Sequence, residues 1–166
     1  ASGADVILLP EIPYDIDKLC ETVVNRSHHG KKFTILCVSE GAKPRGGEQV
    51  VDHFDPTSPD PVRLGGVGKV VANQLEDKTG IETRCTVLGH VQRGGTPVPA
   101  DRVLATEFGH AAARILMEGK TNRLVVMQGR TVDDVEITRA ADKQRTIPGD
   151  DPLVASARAI GTAFGD

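Results

Sequence analysis

Two short apolar runs, Asp5-Val-Ile-Leu-Leu-Pro10 and Phe33-Thr-Ile-Leu-Cys-Val38, flank a stretch in which Ile16, Leu19 and Val23 recur at helical spacing. Few arrangements satisfy that order. Runs apolar on successive residues suit strands buried on both faces, as in parallel sheets, and parallel strands need a crossover, here a helix with Asp in its first turn and His28-His29-Gly30 at its end. Residues 5 to 38 therefore read as one βαβ unit, whose crossover hand is almost always right. Helical spacing returns at Val67, Val70, Val71 and Leu75 and stops at Thr79-Gly80. Ile81 to Leu88 reads as a strand, 100 to 118 as the strongest helix, Arg123 to Met127 and 132 to 138 as strands, and Pro152 to about Phe164 as a terminal helix with Pro in its first turn. Strand and helix alternate throughout, so the class is α/β, in which ligands gather at the carboxyl ends of strands. Between Gly41 and about Gly66 the stretches GAKPRGGEQ and DPTSPDP hold too many breakers for a regular element, and read as a long functional or mobile loop.

Composition narrows the function. A chain of 166 residues with 39% hydrophobic and 26% charged residues and a formal net charge of -3 reads as one globular domain, with no suggestion of nucleic acid as partner. No run reaches the length of a membrane span and the first residues lack a signal peptide, so no membrane partner and a cytoplasmic address are expected. The absent initiating Met hints at a piece of something longer. Aromatics are 3% of the chain, so the core is expected to be aliphatic. Cys20, Cys37 and Cys85 are odd in number and widely spaced, and are expected to be reduced core thiols.

Several candidate sites fail on inspection. Gly65-Gly-Val-Gly-Lys69 would be a phosphate loop only with Gly in place of Arg63 and Ser or Thr in place of Val70, and a dinucleotide fingerprint fails at Val71. A Gly-rich lead into a helix, with amides free for an anion, is the plainer reading. His28 and His29 are adjacent and so diverge on a helix, and no metal site is expected. Gly30-Lys31-Lys32 makes a basic knuckle, for which a solvated turn is the bland alternative. Glu40 closes the strand Cys37-Val-Ser-Glu40, where a carboxylate can accept two sugar hydroxyls or merely make a loop salt bridge.

Residues 84 to 95, RCTVLGHVQRGG, carry more. Alternation along a strand would put Arg84, Thr86 and Leu88 on one face, Gly89 would turn the chain, and His90 and Arg93 would stand three apart before Gly94-Gly95. Two guanidinium groups and an imidazole on one loop suit a phosphate dianion.

The run from Thr83 to Ala105, with its GlyHis, Gln-Arg-Gly-Gly and Asp101-Arg102, closely resembles the signature region of 6-phosphofructokinase. The resemblance extends back through residues 4 to 11, the knuckle at 30 to 32, and ValSerGluGlyAlaLysPro at 38 to 44, which looks like the branch holding both ATP- and pyrophosphate-using members. It implies a Rossmann-like three-layer α/β/α fold with a mostly parallel sheet, truncated here to the C-terminal half. It also implies a role in glycolysis, transferring a phosphoryl group to the 1-hydroxyl of fructose 6-phosphate. Glu40 resembles the carboxylate that binds sugar hydroxyls, His90 and Arg93 the sugar-phosphate contacts, and Arg84 the arginine that reaches the phosphate of a neighbouring subunit, so a homo-oligomer, dimer or tetramer, is implied. Glu11, Lys31 and Lys32 fall where bacterial members bind a nucleotide or phosphoenolpyruvate effector. The Gly-Gly-Asp nucleotide loop and the Asp-rich loop with general base and metal ligand have no counterpart, so no catalytic residue is expected here. Mg2+ and ATP, or pyrophosphate, would be held mainly by the missing half, and negligible turnover is expected. Three parts are expected: a sugar-phosphate domain at 1 to 93, a segment returning to the donor domain at 94 to 140, and a C-terminal helix at 141 to 166. A non-catalytic regulatory or oligomerisation module of the same fold is the alternative.

Overall fold

The computed structural model describes residues 3–54, 56–58, 61–141 and 145–166; Asp55, Pro59 and Asp60 of the DPTSPDP stretch lie outside them. The chain divides into two units, one formed by residues 1–87 and 146–166, the other by 88–145.

The first unit is built on the expected βαβ order. Strand β1 (Val6–Leu8) pairs in parallel with β2 (Leu36–Val38), in the register Val6 to Leu36, Ile7 to Cys37 and Leu8 to Val38. Helix α1 (Ile16–His28) connects them. It begins where Asp15 Oδ1 accepts the Asp17 amide at 2.9 Å, satisfying an otherwise unpaired helix donor. On the other edge of β1, Ala163 pairs in parallel with Val6, through Ile7 N–H to Ala163 O at 2.9 Å and Ala163 N–H to Asp5 O at 3.0 Å. The parallel arrangement is thus three segments wide, and its third comes from the last residues of the chain.

Helix α2 (Val67–Thr79) lies against α1, and the two close over β1 with Val6, Leu8, Tyr14, Leu19, Val23, Ala42, Val67, Val71 and Leu75 buried. The core is aliphatic apart from Tyr14 and Phe164, as the composition requires. Gly66 leads into α2 with φ +82 and Gly80 ends it with φ +67, conformations that an L side chain would strain. Helix α4 (Pro152–Ala159) is shorter than its expected reach to Phe164, because the chain must leave the helix at Gly161 for Ala163 to join β1. Among the described residues no helix is long and apolar enough to cross a membrane.

Two expectations need correction here. The loop from 41 to 66 contains an antiparallel hairpin, with β3 (Val51–Phe54) paired to β4 (Val62–Leu64). The strands themselves are short, four and three residues, and pair locally. Conversely, Ile81 to Leu88 forms no strand: no described segment lies alongside to pair with it, and residues 84 to 88 are all exposed. The Thr83 amide turns instead to Glu76 Oε2 at 3.4 Å. The cysteines are free, but only Cys20 is half-buried; Cys37 and Cys85 are exposed, so the core-thiol reading fails for those two.

The second unit consists of helix α3 (Pro99–Met117) against a hairpin of β5 (Arg123–Gln128) and β6 (Thr131–Glu136). Pro99 sits at the first helical position, and the Asp101 carboxylate folds back to accept the Val98 amide at 3.1 Å. Gly129, with φ +63, makes the two-residue hairpin turn that brings Gln128 opposite Thr131. The Arg123–Asp134 ion pair crosses the two strands.

Candidate functional site

Glu40 stands two residues beyond Val38, at the carboxyl end of β2. It is exposed and makes no hydrogen bond or ion pair among the described residues. Its neighbour Gly41 accepts a bond through its carbonyl from Gln49 Nε2 at 2.9 Å, which fastens the base of the β3–β4 hairpin beside the strand end. The hairpin is closed there by the Gly65 amide donating to Val50 O at 3.2 Å.

Arg84 belongs to the same unit and is 86% exposed. Its guanidinium donates twice to Glu82 Oε1, at 2.9 and 2.7 Å, and this bond and charge raise its pKa above the ordinary arginine value. Without a strand at 81 to 88 the predicted sharing of a face by Arg84, Thr86 and Leu88 does not exist. Arg84 projects from an irregular segment with a local carboxylate as partner.

His90 and Arg93 belong to the second unit, and the turn that carries them is a short 3-10 helix, Gly89–Arg93. Gly89 opens it at φ +49, the Val91 amide donates to Leu88 O and the Gly94 amide to Val91 O, both at 3.1 Å. A 3-10 turn repeats every three residues, so positions 90 and 93 project from the same side. Both side chains are exposed and neither has a hydrogen bond or ion pair among the described residues. Gly95, with φ +95 and no neighbour within 4 Å of a built Cβ, keeps the far side of the turn open. An imidazole and a guanidinium with their donors free on one narrow turn can together receive an anion's oxygens.

The remaining candidates separate. Glu11 lies beyond the carboxyl end of β1, where Oε1 accepts the Ile147 amide at 3.0 Å and Oε2 is buried without a hydrogen-bond partner. Lys31 and Lys32 precede β2 and are exposed. Because β1 and β2 are parallel, Glu11 and the two lysines sit at opposite ends of the pair, and one copy of the chain does not bring them together. Sequence reasoning missed Asp52 and His53, whose pair (Asp52 Oδ2 to His53 Nδ1, 2.7 Å) lies on the hairpin read as loop. The β-branched and aromatic residues of Val50-Val-Asp-His-Phe54 were the one available signal. Among the described residues no group of three or more His, Cys, Asp or Glu side chains gathers as a metal ion would need.

The sequence pattern of the family described as Phosphofructokinase matches residues 1–116, which include the β2 end, the hairpin and the Gly89–Arg93 turn. An ATP-dependent 6-phosphofructokinase of Spirochaeta thermophila is 42% identical over 166 residues, covering 100% of this chain and 45% of its own length. One of Clostridium perfringens, ATP-dependent 6-phosphofructokinase 2, is 42% identical over 167 residues and is covered to 46%. The chain thus spans less than half the length of these relatives. Among solved structures, a pyrophosphate-dependent phosphofructokinase from Nitrosospira multiformis superposes with a TM-score of 0.67 at 21% identity, over 97% of this chain and 41% of that one. The phosphofructokinase of Saccharomyces cerevisiae gives 0.61 at 28% identity, over 83% and 17%. With the pattern matched over residues 1–116 and the same backbone recovered in solved members, the chain belongs to the phosphofructokinase family.

Proposed function

We propose that this chain is the C-terminal, fructose 6-phosphate-binding part of a 6-phosphofructokinase, the enzyme that phosphorylates the sugar's 1-hydroxyl. The observation that carries the reading is the Gly89–Arg93 turn, inside the matched region, with His90 and Arg93 exposed and unpaired among the described residues. An exposed Arg that has no carboxylate partner is available to a phosphate, and Glu40, equally unpartnered, is available to sugar hydroxyls. Arg84 is assigned to the phosphate of a sugar on a neighbouring copy, for which it must exchange Glu82 for the ligand.

The part played by these residues is positioning. His90 and Arg93 are assigned to the phosphate of the sugar, and Glu40, in the other unit, to accepting hydrogen bonds from sugar hydroxyls without removing a proton. Phosphoryl transfer also needs charge stabilisation and a group to receive the hydroxyl proton. The described residues offer no constellation for a magnesium ion; the metal, the general base and the donor, ATP or pyrophosphate, are assigned to the portion of the relatives that this chain does not span. Residues 1 to 93 are the substrate part, 94 to 140 the segment returning to the donor domain, and 141 to 166 the C-terminal part. Glu11, Lys31 and Lys32 are proposed as effector contacts, and their separation means that an effector touching both ends requires two copies.

The test is a titration of the 166-residue chain with fructose 6-phosphate followed by backbone amide NMR, with fructose as the unphosphorylated control. Saturable shifts at Glu40, His90 and Arg93 that fructose fails to produce are expected. A well-dispersed spectrum that fructose 6-phosphate leaves unmoved would overturn the reading for this chain.

A further inference from the structure

Strand β3 carries an irregularity that points at Glu40. Its register to β4 runs Val51 to Leu64, His53 to Arg63 and Phe54 to Val62, with a shift between Val51 and His53. Asp52 is therefore the extra residue of a β-bulge, without an opposite number on β4. Bulges bend a strand and re-aim one side chain, and recur beside active sites.

Here the re-aimed side chain is brought over Gly65. A Cβ built on Gly65 would lie 3.0 Å from Asp52 Cβ, 3.5 Å from Asp52 Cγ and 3.9 Å from Glu40 Oε1. Two carboxylate-bearing side chains from different elements thus approach the backbone of Gly65 together, a closeness that a residue with a side chain at position 65 would obstruct. The approach is held in place on both sides: Gln49 ties the hairpin to Gly41, next to Glu40, and the Gly65 amide ties it to Val50. Asp52 Oδ2 is engaged by His53 Nδ1 at 2.7 Å, while Oδ1 has no partner among the described residues.

We infer that Asp52 is a specificity-determining residue of the sugar site, a second carboxylate that, brought beside Glu40 over Gly65, accepts the hydroxyl-bearing end of the ligand and repels a phosphate there. The inference rests on the reading of Glu40 given above and extends that site rather than founding another. An ionised carboxylate only accepts hydrogen bonds, so a pair of them matches hydroxyl groups, which donate. A phosphate dianion offers no protons and shares their sign, so the same pair disfavours it, and selectivity arises from the repulsive element as much as from the attractive one. The ligand class favoured is a sugar monophosphate with free hydroxyls at the end away from its phosphate; a sugar bisphosphate is the class refused. In the proposed reaction this distinguishes substrate from product.

The experiment measures binding of fructose 6-phosphate and fructose 1,6-bisphosphate to the 166-residue chain and to its Asp52→Asn, Asp52→Glu, Gly65→Ala and Glu40→Gln variants, each checked for an undisturbed amide spectrum outside the hairpin. Asp52→Asn is expected to weaken the monophosphate about tenfold, the loss of one charge-assisted hydrogen bond, and to reduce the preference for monophosphate over bisphosphate by at least as much. Asp52→Glu is expected to restore part of the preference, and Gly65→Ala to lower it with both carboxylates still present. Unchanged affinity and preference in Asp52→Asn, with Glu40→Gln losing binding, would overturn the role of Asp52 and leave the sugar site standing. An equal loss for both ligands would mean that Asp52 only supports the hairpin, which also overturns the inference. Failure of the unaltered chain to bind either sugar would overturn both this inference and the reading of Glu40.

Discussion

Arg93 and His90 are exposed side chains on a five-residue turn, a position where an arginine ordinarily contributes little to stability. Replacing Arg93 by Ala should therefore leave the denaturation midpoint nearly unchanged. It should weaken fructose 6-phosphate binding by tenfold or more, since a hydrogen bond to a charged group is worth about 1.5 to 3 kcal/mol; calorimetric titration of the variant checks this, and equal affinity would favour a non-catalytic module. Tyr14 offers a second measurement. It is 1% exposed and burial pushes its phenol above the ordinary value of 10.0. The folded state thus holds the proton more tightly than the unfolded one, so this contribution to stability is complete below about pH 10 and is lost as pH rises through the folded value. Tyr14 is the one tyrosine and there is no Trp, so ultraviolet titration of tyrosinate reads this residue alone. A midpoint above 10 is expected, falling to the ordinary value in denaturant.

Local chemistry decided which elements the sequence revealed. Helix α1 was legible because its start has a capping Asp, its buried face has Leu19 and Val23, and its end meets His29 and Gly30. Asp15→Ala should cost about 0.5 to 2 kcal/mol by leaving the Asp17 amide without its partner, seen as a lower urea midpoint at unchanged slope. The hairpin β3–β4 was not legible. Its strands are four and three residues long, its register is broken by Asp52, and its surroundings are Gly and Pro, so pairing rather than propensity makes it. The segment from Ile81 to Leu88 failed in the opposite way: its β-branched residues suit a strand, yet a strand exists only where a neighbour accepts its amides. The site shows the same division. The positions of the candidates Glu40, His90 and Arg93, at a strand end and on a Gly-bounded turn, could be read because such features are marked in sequence, whereas Asp52 reaches Gly65 only through a bulge.

At the scale of the molecule the two units differ in how much they bury. The first encloses Val6, Leu8, Leu19, Val71 and Leu75 almost completely, while among described residues of the second only Ala111 and Ile115 are buried. Opening free energies follow such burial, so amides of β5 and β6 should exchange with deuterium faster than those of β1 and β2 under native conditions. Equal protection in the two units would contradict this. The pairing of Ala163 with Val6 also bears on how the first unit comes together. The segment that flanks β1 opposite β2 is contributed from far along the chain, so closing that edge requires a long loop to be drawn together, whereas β5 and β6 meet across a two-residue turn. The better-buried unit is thus the one whose sheet edge is the slower to close, and until Ala163 arrives the amides on that side of β1 stand open to any other strand.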